Sequence, residues 1–288
     1  LKTLIDAGVP ALVFLAMVIV GMELTARDFR SVARQPLLVA FVTISQAVLL
    51  PLIGWVLVRR LTLQRTIAQG LLLVVACPSG PMANIYTQLG GANVALSVVL
   101  TAVSCLAAMA TTPLALAILQ HDDGGASGFA VPYVVLARQL LLLLVVPILL
   151  GMGIRHRAPG AVIRYKRFLF GFNVFALAAL LGFVIVHEAD HLTTGLGDLV
   201  LATVLLTALA FGSGWGMSWA GGGQSADRFA VGMVFVVRNV GIATAIAVTA
   251  LGHVEFAAFG SAYFVAQVPL LLACVWAYRS QRRAYQQN

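Results

Sequence analysis

Nine times along this chain, a run of roughly twenty mostly apolar residues gives way to a short polar connection. The runs fall near residues 7–25, 36–58, 66–90, 92–119, 131–152, 168–187, 197–220, 229–252 and 257–278. That length matches the hydrocarbon thickness of a bilayer, and a helix satisfies its own backbone hydrogen bonds there. The expectation is an all-α membrane protein of nine transmembrane helices. Only 10% of the residues are charged, against about 25% in soluble domains. A soluble enzyme, a disordered chain, a disulfide scaffold and a nucleic-acid partner are excluded on those grounds. Cys77, Cys105 and Cys274 lie in apolar runs and form no Cys-x-x-Cys pair. The first run reaches Glu23 without a small-residue cleavage site, so it reads as a span rather than a signal sequence.

Basic residues set the orientation. With the N-terminus outside, the inner connections collect Arg27, Arg30 and Arg34, then Arg155, Arg157, Arg164, Lys166 and Arg167, then Arg228, and finally Arg279, Arg282 and Arg283. The outer side holds only Lys2, Arg59, Arg60 and Arg65. This bias predicts an outer N-terminus and an inner C-terminus. The formal charge of +8 is read the same way, as basic inner loops on a lipid bilayer.

Two runs are interrupted in the middle. The third, QGLLLVVACPSGPMANIYTQLGG, carries Pro78, Gly80 and Pro81, which remove helix hydrogen bonds at membrane depth. The eighth, FAVGMVFVVRNVGIATAIAV, carries Arg238, Asn239 and Gly241. A guanidinium at mid-bilayer costs at least about 2.5–3.5 kcal/mol, so it is expected to face protein or a wet cavity. One interrupted span in each half points to a secondary transporter built from inverted repeats, with breaks at 77–82 and 237–240. Each break is expected to turn a half-helix N-terminus, with unpaired N–H groups, toward the midplane, where it favours anions.

GMELTARDF after the first run, ISQAVLLP in the second, ACPSGPMANIYTQLGGANVALSVVLTAVS across the third and fourth, and VVRNVGIATAIA in the eighth resemble the bile acid:sodium symporter family. The resemblance covers nearly the whole chain and matches the nine-span type. It implies a fold like that of sodium/proton antiporters. A panel domain would comprise residues 1–30 and 129–190, and a core domain residues 31–128 and 191–288. Substrate would sit between them and the core would move against the panel.

The family's sodium sites map unevenly. One takes oxygens from a Ser-Asn pair after the first break and from a Ser and a Thr in the next span; here those positions are Ala83 and Asn84, then Ser97 and Thr101. The other uses a Gln that matches Gln46. Both share a Glu before the second break, and one uses a Gln at it; here those positions are Val234 and Arg238. At about 6 Å and an effective dielectric near 20, the arginine and a sodium ion would repel by roughly 3 kcal/mol, about a hundredfold in affinity. Weak or absent sodium coupling is the expectation, with no other metal or cofactor. Arg238 either stands in for sodium or forks onto a substrate carboxylate, a job its geometry suits.

The expected function is secondary transport of a small organic anion, of the carboxylate class, in a prokaryotic-type inner membrane. Pro81, Met82, Asn84, Arg238, Asn239 and Gln267 are the candidate substrate contacts. An ordinary sodium symporter using Gln46, Asn84, Ser97 and Thr101 is the alternative within the class. Outside it, His187-Glu188-Ala189-Asp190-His191 is a literal match to a zinc-protease motif, although the extended motif fails at Thr194 and Gly197; a polar outer loop is the plain reading. Cys77 reads as a buried cysteine rather than a metalloid ligand. Gly212, Gly216 and Ala220 form a small-residue stripe expected to let helices pack closely. The sequence carries no signal of oligomeric state.

Overall fold

The computed structural model describes residues 2–24, 36–122, 133–187 and 195–287, and among them every regular element is helical. The first is α1 (Lys2–Glu23), followed by α2 (Pro36–Arg60). The third apolar run is two helices, α3 (Arg65–Ala76) and α4 (Met82–Gly90), and α5 (Val94–Asp122) follows. The next run is α6 (Tyr133–Leu140) and α7 (Val146–Arg157), joined by a π-helical turn at Leu141–Val145 ahead of Pro147. Then come α8 (Pro159–His187) and α9 (Leu196–Ala220). The eighth run is also split, into α10 (Ser225–Val236) and α11 (Val240–Ala245), the latter continuing through a π turn at Ile246–Ala250. The last helix is α12 (Phe256–Gln287).

Among the described residues, five helices are long and apolar enough to cross a membrane: Pro36–Arg60, Val94–Ile118, Tyr133–Arg157, Leu196–Ala220 and Phe256–Arg283. Gly8–Glu23, Arg65–Ala76, Gly171–Phe183 and Val240–Ala250 are shorter apolar stretches. The protein is an integral membrane protein on this evidence, and its exposed Leu, Phe and Val side chains are those of a lipid-facing surface. Helices and apolar runs differ at their ends. Apolarity reports contact with lipid, whereas helix formation needs only tolerant residues. α8 therefore begins at Pro159, a residue suited to a helix start, and α12 continues through the basic segment after Tyr278 to Gln287.

Packing follows small residues. α1 lies against α7 and α8. A Cβ placed on Gly21 would stand 2.2 Å from the Ile148 carbonyl oxygen, and one on Gly151 2.1 Å from that of Val18, so α1 and α7 meet backbone to backbone. On the other side, α9 packs on α2 and α10, and α12 on α3 and α4. The close approach of α9 is not made by the predicted stripe. Open space surrounds Gly212 and Gly216, whereas a Cβ on Gly214 would meet Phe235 and the Val231 carbonyl. Two residues of helix rotate a side chain by about 200°, which puts Gly214 on the inward face.

Candidate functional site

The two interruptions are built alike. After Ala76, Cys77 turns extended and Pro78 has no N–H to give. Within an unbroken helix the Ala76 carbonyl would accept from Gly80 N. Instead Gly80 N donates to the Val237 carbonyl at 2.8 Å, and the Thr112 hydroxyl donates to the Ala76 carbonyl at 2.7 Å. In the second break the Val236 carbonyl would accept from Val240 N, but that group donates to the Arg238 carbonyl at 3.0 Å. The Tyr263 hydroxyl takes its place at 2.8 Å. At each break, then, a carbonyl that has lost its helical donor accepts from a hydroxyl of another helix instead, Ala76 from Thr112 and Val236 from Tyr263, as a dry interior favours.

The two extended segments cross and pair as a short antiparallel bridge between Ser79 and Arg238. Asn239 N donates to the Pro78 carbonyl at 2.9 Å, opposite the Gly80–Val237 bond. Ser79 adds a hydroxyl bond to the Val237 carbonyl at 3.2 Å, and Ser79 N donates to the Ser104 hydroxyl at 3.2 Å. A Cβ on Gly80 would stand 2.8 Å from the Arg238 carbonyl oxygen, so the crossing admits no side chain there.

The half-helix ends are less open than the sequence suggests. Ala83 N donates to the Gly80 carbonyl and Asn84 N to that of Pro81, each at 3.1 Å. Ile242 N donates to the Asn239 side-chain oxygen at 3.2 Å, so Asn239 is the N-cap of α11. The expected sets of unpaired N–H groups are largely occupied by local bonds, because tight turns at Gly80–Pro81 and Arg238–Asn239 satisfy them first. The uncompensated positive group at the crossing is a side chain. Arg238 is 5% exposed, and its Nε and Nη1 are buried without a hydrogen-bond partner.

Two clefts meet at Arg238. One, of about 320 Å³, lies among α2, α3 and α5 and is lined by Thr43, Gln46, Cys77, Ser104 and Thr111 among others. The second, of about 610 Å³, lies where α1 and α8 face the crossing. Pro81, Met82, Arg238 and Asn239 line this second cleft, opposite Val13, Asn173 and Phe264. Asn239 Nδ2 donates to Met17 Sδ of α1 at 3.8 Å, and Asn173 Nδ2 donates to the Leu12 carbonyl at 2.8 Å.

The remaining predicted positions fall elsewhere. Asn84, Ser97 and Thr101 do come together, but the Ser97 hydroxyl donates to Asn84 Oδ1 at 2.8 Å and the Thr101 hydroxyl to the same atom at 3.4 Å. Their oxygens serve one another, and Asn84 Nδ2 is left unpartnered. Val234 is fully buried, and its carbonyl accepts from Gln46 Nε2 at 3.4 Å. Asn84, Ser97, Thr101 and Val234 line neither cleft, whereas Gln46 lines the first. Gln267 is 2% exposed with an unpartnered Oε1 and lines neither cleft. Residues 188–194, with Glu188 and His191 of the zinc-type motif, lie outside the described residues, as do Arg27, Arg30 and Arg34. Among the described residues no group of His, Cys, Asp and Glu could hold a metal ion.

Sequence reasoning missed Thr112 and Tyr263, which cap the broken helices, and Asn173. Asn173 carried a usable signal, as the lone amide in the apolar stretch Phe168–Phe183. Thr112 carried none, since a threonine hydroxyl in an apolar helix bonds its own backbone as readily as another helix, and nothing in the sequence around Tyr263 indicates which carbonyl its hydroxyl reaches.

A model described as the sodium bile acid symporter family matches residues 10–195. A probable chloroplastic sodium/metabolite cotransporter of Oryza sativa subsp. japonica is 30% identical over 74% of this chain and 50% of its own length. An uncharacterized sodium-dependent transporter of Bacillus subtilis (strain 168) is 40% identical over 35% of this chain and 32% of its own. The ileal sodium/bile acid cotransporter of Oryctolagus cuniculus is 25% identical over 66% of this chain and 55% of its own. The chain spans about half the length, or less, of the curated relatives it matches first.

Proposed function

The chain belongs to the sodium bile acid symporter family, whose members are transporters and not enzymes, and on that footing we propose that it carries a small organic anion of the carboxylate class by alternating access. Nine helical spans would cross a bacterial inner membrane, N-terminus outside. Residues 1–30 and 129–190 would form a panel, and residues 31–128 and 191–288 a core containing two broken helices of an inverted repeat. The packing of α1 against α7 and α8, and the like construction of the two breaks, support that division.

Arg238 carries the reading. It is a permanent cation at the crossing, it lines the cleft between α1, α8 and the breaks, and two of its N–H donors have no partner. A guanidinium presents donors in a fork that fits a carboxylate. The apolar wall of Val13, Ile19 and Phe264 suits the body of an organic anion, and Asn239 stands at its charged end. The same charge argues against a sodium ion beside it, and Val234 supplies no side-chain oxygen. Transport is then sodium-independent, with Arg238 supplying the positive charge that a coupling ion would bring.

A sodium-coupled reading is favoured by the surviving cluster of Asn84, Ser97 and Thr101 and by the names of the relatives. Organic-anion flux into liposomes, in sodium and in choline at equal ionic strength, separates the two. Equal rates support the arginine. Strict sodium dependence refutes the sodium-independent proposal in favour of coupling.

A further inference from the structure

Arg238 lines two clefts, and the organic-anion reading uses only one of them. Neither lining contains a carboxylate. The acids whose bonds are described are engaged elsewhere: Asp227 accepts from Asn93, and Glu255 is paired with His253. A buried guanidinium without a counter-charge is an unstable arrangement, and an anion beside it removes the penalty.

The first cleft has the donors to hold one. Thr43 Oγ1 is buried without a partner, as are Nε and Nη1 of Arg238. Gln46 spends its amide on a long 3.4 Å contact with the Val234 carbonyl. Thr111 adds a second hydroxyl to the lining. Ser104 is already used, accepting from Ser79 N and donating to the Thr101 carbonyl. Hydroxyl, amide and guanidinium donors with no carboxylate suit an anion and not a metal cation. The two clefts differ in character. The second presents Val13, Ile19, Val174 and Phe264 to an organic body, while the first, about half its volume, brings polar groups together around a point charge.

We propose that the cleft among α2, α3 and α5 binds a small monovalent inorganic anion of halide size, held by Arg238, Thr43, Gln46 and Thr111. The site is separate from the organic-anion cleft, and Arg238 lines both. Its occupancy does not depend on which solute is carried.

The test is thermal unfolding of the purified full chain in sodium methanesulfonate, with chloride or bromide replacing methanesulfonate at constant ionic strength. Specific binding gives a saturable rise in Tm, roughly 5–10 °C at a hundred times Kd. Arg238→Gln abolishes the rise, and the double variant Thr43→Val/Thr111→Val, which leaves the organic-anion cleft intact, reduces it at least several-fold. Equal Tm in halide and methanesulfonate overturns the proposal. So does an unchanged halide response in the threonine double variant, whether or not Arg238→Gln folds. A second arm titrates a carboxylate panel in methanesulfonate. A carboxylate response without a halide response overturns the inorganic site and leaves the carrier reading standing; a halide response without a carboxylate response does the reverse.

Discussion

Replacing Tyr263 by Phe tests whether the broken helices are held open by hydroxyl caps. Tyr263 is fully buried, and its hydroxyl donates to the Val236 carbonyl at 2.8 Å. The helical donor that this carbonyl would otherwise use, Val240 N, is committed to the Arg238 carbonyl. Removing one oxygen atom leaves the ring packing against Phe259 in place, at a centroid distance of 5.9 Å. It also leaves a buried carbonyl with no donor, which costs about 1–3 kcal/mol. At roughly 2–4 °C per kcal/mol, Tm falls by about 2–12 °C. Tyr278 is the internal control. Its ring stacks on Phe229 at 4.2 Å, but its hydroxyl is buried without a partner. Tyr278→Phe removes an unsatisfied group and keeps the stack, so Tm holds or rises by up to about 4 °C, the equivalent of roughly 1 kcal/mol. Differential scanning fluorimetry of the three proteins in one detergent reads both shifts. Equal Tm values for the two variants, or the reverse order, would show that the Tyr263 hydroxyl does not carry the carbonyl and would refute the capping argument.

Arg238→Gln removes a charge-assisted interaction and is expected to weaken organic-anion binding by roughly 10–100-fold; equilibrium titration of a bound carboxylate checks it, and near-normal affinity would exclude direct contact. Gly80→Ala drives a Cβ to within 2.8 Å of the Arg238 carbonyl, so flux in liposomes collapses and stability drops by about 1–3 kcal/mol. Gly21→Ala prises α1 from α7 by the same mechanism at 2.2 Å, and a Tm within 1 °C of the parent would refute the backbone contact. The double change Val234→Glu/Arg238→Gln puts a carboxylate and an amide at the two positions where the family resemblance expects sodium ligands; sodium-specific thermal stabilisation greater than that of the parent is the expected result.

Apolar run length determined that this chain is a helical membrane protein, because the bilayer leaves the backbone no alternative over about twenty residues. The position of both interruptions was also legible, since Pro78, Pro81 and Arg238 cannot continue an ordinary lipid-facing helix. So was the meeting of Asn84 with Ser97 and Thr101, through the resemblance of the surrounding motif. What lay beyond the sequence was who satisfies whom. Thr112 and Tyr263 sit 36 and 27 residues from the carbonyls they cap, and nothing local distinguishes them from other hydroxyls in apolar helices. The half-helix ends looked open in sequence, yet the turns at the crossing close most of their N–H groups. The small-residue stripe at Gly212 and Gly216 had the right spacing, but only the rotation of α9 against α10 decided that Gly214 is the one at the contact. Composition and periodicity fix which backbone can exist in lipid, residue by residue along the chain. Partners for buried donors and acceptors come from helices distant in sequence, so they are decided only when those helices are packed.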